Sequence, residues 1–155
     1  MILRRARDAD LGAVADIWND VIRNTLQTFT TAEKTVAGLA ALDPILVAEI
    51  DGAIAGFAVY FPFRSGPGYA RTIEHSIYLR PSARGQGVGR SLMAALEQHA
   101  KEAGFHVLIS GMSAANPDGI RFHEKIGFKV VGRLSEVGYK NGQYIDLVLA
   151  QKILS

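Results

Sequence analysis

The sequence predicts a mixed α/β domain whose strands pair mostly antiparallel, and three features carry that expectation. Residues 71–79 alternate strictly, with Ile73, His75, Ile77 and Leu79 on one face and Thr72, Glu74, Ser76 and Tyr78 on the other, which is the period of a strand. Two other segments, Leu11 to Val21 and Val88 to His99, repeat apolar residues at helical spacing. Short turns such as Asp51-Gly52 join strand-like runs, a connection open only to antiparallel neighbours.

Taken in order, Ile2 to Arg5 reads as a short strand. Asp8 or Asp10 can cap a helix running to about Arg23, with Leu11, Val14, Ile17, Trp18 and Val21 on its apolar face. Thr25 to Thr35 is rich in threonine and carries no periodic signal, and a short helix is expected from about Ala32 to Leu42. Ile45 to Ile50 and Ile54 to Phe61 form a hairpin across Asp51-Gly52. Pro62 to Gly68 is a loop, Arg71 to Leu79 the alternating strand, and Pro81 a break. Gly87 to Ala103 is helical and stops at Gly104, after which Phe105 to Met112 is an apolar strand. Asn116-Pro117 has the form of an N-cap followed by proline at the first helical position, for a helix ending at Gly127. Phe128 to Val137 and Gln143 to Ala150 complete the sheet through the turn Tyr139-Lys140-Asn141-Gly142. No linker, repeat or charge block divides the chain, so one domain is expected over residues 1–155.

Composition narrows the function classes. The chain has 155 residues, 48% of them hydrophobic, and a formal charge of only +2, which argues against both disorder and a nucleic-acid footprint. It has no cysteine, which removes disulfides, thiolate metal sites and a Cys-linked covalent intermediate; no metal is expected. No segment resembles a signal peptide or reaches the ~20 apolar residues of a membrane span, so the expected location is cytoplasmic, with no membrane partner.

The most specific motif is Arg84-Gly85-Gln86-Gly87-Val88-Gly89-Arg90, set between a strand and a helix. Without β-carbons, consecutive backbone N–H groups can converge on an anion at the positive end of the helix, with Arg84 and Arg90 adding charge. A Walker loop fails because position 84 is not glycine and position 90 is not lysine; a dinucleotide fingerprint begun at Gly85 fails at Arg90. What remains is R-x-x-G-x-G, with a plain surface loop as the bland alternative.

That motif, followed by Asn116 and by Phe122-His123-Glu124-Lys125-Ile126-Gly127-Phe128, resembles the GCN5-related N-acetyltransferases (GNAT) over nearly the whole chain. The segments Ile45–Glu49, Thr72–Leu79 and Val137–Lys140 are similar to the branch that acetylates phosphinothricin and methionine sulfoximine or sulfone. The resemblance implies a GNAT fold with a splayed central strand pair and acetyl-CoA as co-substrate. It places the pantetheine arm along Ile77, Tyr78 and Leu79, and the pyrophosphate at Arg84, Gly85, Gln86, Gly87, Val88, Gly89 and Arg90. Asn116 and Lys125 complete the cofactor contacts it implies, although Asn116 also reads as a simple helix cap.

The same resemblance makes Glu74 the general base, since an ammonium must lose a proton before it can attack a thioester. The alternative for Glu74 is an ion pair with Arg71 or Arg64. His123 stands where many relatives carry a tyrosine that protonates the departing thiolate; the alternative is a packed helix histidine. His75 falls on the apolar face and reads as a buried structural histidine. For the acceptor, the loop Phe63–Arg71 supplies Arg64, Pro67, Gly68, Tyr69 and Arg71, with two arginines suited to a carboxylate or phosphinate. Asn19 and Phe29 resemble further pocket positions, and Val137–Lys140 with Tyr144 are expected to close the pocket across a homodimer. The Thr30–Pro44 segment is shorter than in that branch, and Tyr144 replaces its usual tryptophan. The expected reaction is direct acetyl transfer to the amine of a small amino acid or analogue. Acetylation of a protein N-terminus, or a non-catalytic CoA-binding module, are the alternatives.

Overall fold

The computed structural model describes all 155 residues. Its frame is one seven-stranded sheet in the order β1-β2-β3-β4-β5-β7-β6, where β1 is Ile2–Arg5, β2 Ile45–Ile50, β3 Ala53–Pro62, β4 Thr72–Leu79, β5 Val107–Ser113, β6 Lys129–Lys140 and β7 Gln143–Ile153. Every neighbouring pair is antiparallel except β4 and β5, which run parallel. The helices are α1 (Leu11–Asn24), α2 (Val36–Leu39), α3 (Val88–Glu102) and α4 (Pro117–Lys125).

The sheet is covered on both faces, and the two cores follow from the alternation of its strands. On one face α1 packs Val14, Ile17, Trp18 and Ile22 against Val47, Phe57 and Val59. On the other, α3 packs Val88, Leu92, Met93 and Leu96 against Ala58, Ile73 and Leu108. Leu92 and Leu96 are fully buried, so truncating either to alanine would cost roughly 2–5 kcal/mol. Trp18, Phe57 and Tyr78 form a tilted aromatic trio, with ring centroids 5.2 to 6.0 Å apart.

The β4–β5 pair is where the sheet opens. Its register runs only from Thr72↔Val107 to His75↔Ser110, while β4 continues to Leu79 and β5 to Ser113. From Gly111 onward β5 pairs with β7 alone, and from Ser76 onward β4 pairs with β3 alone. The two parallel strands therefore diverge into a fork.

The structure shortens one expected element. The helix expected from Ala32 to Leu42 is a single turn, Val36–Leu39, capped by the Thr35 hydroxyl, which accepts from the Gly38 N–H at 3.0 Å. The reason lies on α1. The Asn19 carboxamide takes both polar groups of the Lys34 backbone, donating to its carbonyl at 3.0 Å and accepting from its N–H at 2.7 Å. A residue held in this way has no N–H or carbonyl left for a helix. The end of α1 is secured by Lys140, only 3% exposed, whose ammonium donates to the carbonyls of Ile22, Thr25 and Thr28 at 2.6, 2.8 and 3.0 Å. It satisfies carbonyls that a helix C-terminus otherwise leaves open.

Candidate active site

A cavity of about 620 Å³ enters the fork between β4 and β5. Ile77, Tyr78 and Leu79 of β4 form one wall, and Asn116, Gly119, Phe122 and His123 of α4 and its cap form the other. Arg84, Gly85, Gly87, Val88, Gly89 and Arg90 close its mouth, while Val21 and Gln27 reach it from the α1 side.

The mouth is built to receive an anion. Gly85 and Gly87 sit at φ +75° and +79°, conformations that L side chains rarely adopt, and a β-carbon on either would meet no protein atom within 4 Å. Gly87 is the N-cap of α3 and offers no side chain to its first turn. The N–H groups of residues 85–90 find no backbone acceptor, so they and the helix dipole face the cavity mouth together. Arg84 and Arg90 are exposed at its rim, and neither is in an ion pair. Gly89 is close-packed: a β-carbon there would sit 3.1 Å from the Phe122 ring, which would have to give by a few tenths of an ångström. This cradle fits a diphosphate, and the apolar fork behind it fits an extended arm.

Glu74 lies on the α1 face of β4, at the point where the fork begins. Its carboxylate overlies Gly111, where an added β-carbon would come within 3.3 Å of Oε1 and 3.7 Å of Leu147. It makes no ion pair and no hydrogen bond, so the pairing with Arg71 or Arg64 is not formed. Partial burial raises its pKa above the ordinary glutamate value.

On the opposite face, His75 and His123 are both 5% exposed, and their Nε2 atoms are 2.9 Å apart. His123 Nδ1 is 2.8 Å from the Gly119 carbonyl, and His75 Nδ1 is 3.2 Å from the Ile109 carbonyl. Burial lowers the pKa of both, that of His75 to about 3, with the facing ring adding to the effect. His75 is thus the buried, hydrogen-bonded histidine expected of its position, and His123 joins the cavity wall while packing on Phe122 and Phe128. Asn116 does cap α4, accepting from the Gly119 N–H at 3.1 Å, and lines the cavity as well.

Glu74 does not line this cavity, and the remaining expected site residues are not among its lining either. Gln86 donates to the Ser82 carbonyl at 2.8 Å, and Lys125 is exposed on the far side of α4's last turn; neither lines the cavity. Arg64 stacks on Phe63 and Tyr69, and Arg64 and Tyr69 border a second cavity of about 380 Å³ with Tyr60 and Phe105. Pro67 and Gly68 are in an exposed 3-10 turn, and Arg71 is exposed beside it. Asn19 holds Lys34, and Phe29 packs on Gly138, where a β-carbon would fall 2.5 Å from the ring.

Several residues that matter to the site carried little or no signal. Gly111, an isolated glycine within an apolar strand, marks a close approach in principle, and Glu74 is what approaches. Val21, Gln27 and Gly119 reach the cavity only through the tertiary fold, and the contact between His75 and His123 spans 48 positions.

Comparison with known proteins decides the family. A family model described as the acetyltransferase (GNAT) family matches residues 14–128. The chain belongs to the GNAT family. It is 33% identical to the L-methionine sulfoximine/L-methionine sulfone acetyltransferase of Salmonella typhimurium, with 97% of this chain and 93% of that protein covered. A phosphinothricin acetyltransferase from Sinorhizobium meliloti, solved in complex with acetyl-CoA, superposes with a TM-score of 0.93 at 31% identity, covering 99% of this chain and 88% of that one. A ribosomal-protein-alanine N-acetyltransferase from Brucella melitensis superposes with a TM-score of 0.92 at 38% identity, covering 99% of this chain and 100% of that one. As a GNAT enzyme the chain is an acetyl-CoA-dependent N-acetyltransferase.

Proposed function

We propose that this GNAT enzyme acetylates the free amine of a small amino acid or an analogue of the phosphinothricin or methionine sulfoximine–sulfone type. The observation that carries the reading is the position of Glu74: a carboxylate without a cation, partly desolvated, at the apex of the fork that the co-substrate enters.

Acetyl-CoA supplies an activated acyl group and leaves as a thiol. The N–H groups of residues 85–90, with Arg84 and Arg90, hold its diphosphate. The unpaired edge of β4 beyond Ser76 orients the arm, and backbone N–H groups there polarise the acyl carbonyl. Glu74 takes a proton from the acceptor ammonium, directly or through water. With no cysteine in the chain, transfer is by direct attack of the amine rather than through a Cys acyl-enzyme. The enzyme works as a homodimer through the β6–β7 hairpin, whose Val131, Val137, Tyr139 and Tyr144 are 53 to 67% exposed.

The Brucella relative supports a second reading, in which the acceptor is the N-terminus of a protein. A panel of acceptors separates the two. Thiol release should be fastest with methionine sulfone, methionine sulfoximine or phosphinothricin, and slow with alanine-initiated peptides. Turnover confined to the peptides would overturn the amino-acid reading.

A further inference from the structure

The His75–His123 contact contains one more hydrogen bond than two neutral imidazoles can supply. A backbone carbonyl only accepts, so the contact to Gly119 needs a proton on His123 Nδ1, and the contact to Ile109 needs one on His75 Nδ1. Two neutral rings carry two protons, and both are then spent. The Nε2 atoms would face each other as bare lone pairs at 2.9 Å. Three contacts require three protons.

We propose that His75 and His123 form one proton-sharing pair, in which His75 sets the proton content of His123 at the wall of the co-substrate cavity. In its neutral form the pair gives up the longest contact, the one to Ile109. His75 then carries its proton on Nε2 and donates to His123 Nε2, which fixes His123 as the Nδ1–H tautomer. Uptake of one proton at His75 Nδ1 completes the third contact. A second uptake is opposed, because it would set two charged rings nose to nose. When the charged pair releases a proton from His123 Nδ1, the bridging proton passes to His123 Nε2. His75 keeps its Nδ1 proton, and the pair is neutral in its other tautomer, with the Ile109 contact kept and the Gly119 contact given up.

The surroundings leave this exchange to the two rings. On β4 Glu74 points to the other face; on β3 the facing Tyr60 has its hydroxyl 3.0 Å from His99 Nδ1; on α4 Glu124 and Lys125 are exposed; on β5 the neighbours are Ile109 and Ser110, and Phe128 stands just before β6. Burial disfavours the added charge, and the otherwise unmade contact favours it. His75 touches neither substrate and is a positioning residue; His123 is the member that lines the cavity.

The proton count is independent of the proposed function, and only its use in supplying a proton to the leaving thiol rests on that reading. The test is nitrogen-15 NMR of histidine-labelled protein without acetyl-CoA, titrated from about pH 8 to about pH 2.5. The expected result is one proton gained by the two rings in a single shared step, with an Nε2–H signal split across both nitrogens. In His75→Gln, which retains a donor but cannot titrate, His123 should titrate as a single ring. The alkaline side of the wild-type kcat profile should shift with it, while acetyl-CoA affinity stays within about twofold. Two independent titrations, two protons gained, or none gained would overturn the proposal. Absence of thiol release with every amine, alongside a shared proton, would instead sink the catalytic reading alone.

Discussion

At the scale of the residue, Glu74 derives its reactivity from its setting. A surface glutamate next to two arginine-bearing positions ordinarily pairs with one of them and is held acidic. Here Arg64 stacks on aromatic rings and Arg71 faces solvent, leaving the carboxylate over Gly111 and Leu147. Burial raises its pKa, and a base works only once deprotonated. The acid limb of kcat/KM should therefore have its midpoint above the ordinary glutamate value, and a pH profile with saturating acetyl-CoA checks this. The place of Glu74 on its strand, on the face away from Ile73 and His75, was legible from strand alternation. Its freedom from ion pairing was not, because that depends on where the 63–71 loop folds.

At the scale of the element, the turn from β4 into α3 is a device made of backbone. Its glycines could be read directly, since R-x-x-G-x-G between a strand and a helix has few other uses. The left-handed Gly87 N-cap shows why the residue type matters: alanine there is strained by roughly 1–2 kcal/mol. Gly87→Ala should weaken acetyl-CoA binding by about tenfold in calorimetry. Gly52→Ala, at φ +80° in the β2–β3 turn, should instead lower only stability. The expected helix over 32–42 was misjudged for an equally local reason. Propensity favoured it, but Asn19 captures the Lys34 backbone from another element, and no window of local sequence contains that competition.

At the scale of the whole molecule, one sheet places opposite chemistry on its two faces: the carboxylate proposed as base on the α1 side and a histidine pair on the α4 side. The fold class and the succession of strands and helices were readable because alternation, turns and glycines each recur along the chain. The fork was not, since it arises only when β4 and β5 part after His75. The arrangement also has a cost in acid. Unfolded histidines take up protons near their ordinary value, whereas burial holds His75 down to about 3 and lowers His123 as well. The native pair binds at most one of the two protons, so stability is full above about pH 6.5 and falls as pH drops toward 3. Each proton the unfolded state gains in excess contributes roughly 1.4 kcal/mol per pH unit. Asp10, held near 2 by Arg4, loses its contribution only below about 4, so the two windows are separable by urea unfolding at a series of pH values.

The most direct test of the account is steady-state thiol release by Glu74→Gln with methionine sulfone as acceptor, measured alongside acetyl-CoA affinity. The account predicts that kcat/KM falls by roughly 10²–10⁴-fold and that the acid limb disappears, while the acetyl-CoA Kd changes by less than about twofold. Turnover equal to that of the unaltered enzyme, with the acid limb still in place, would contradict it.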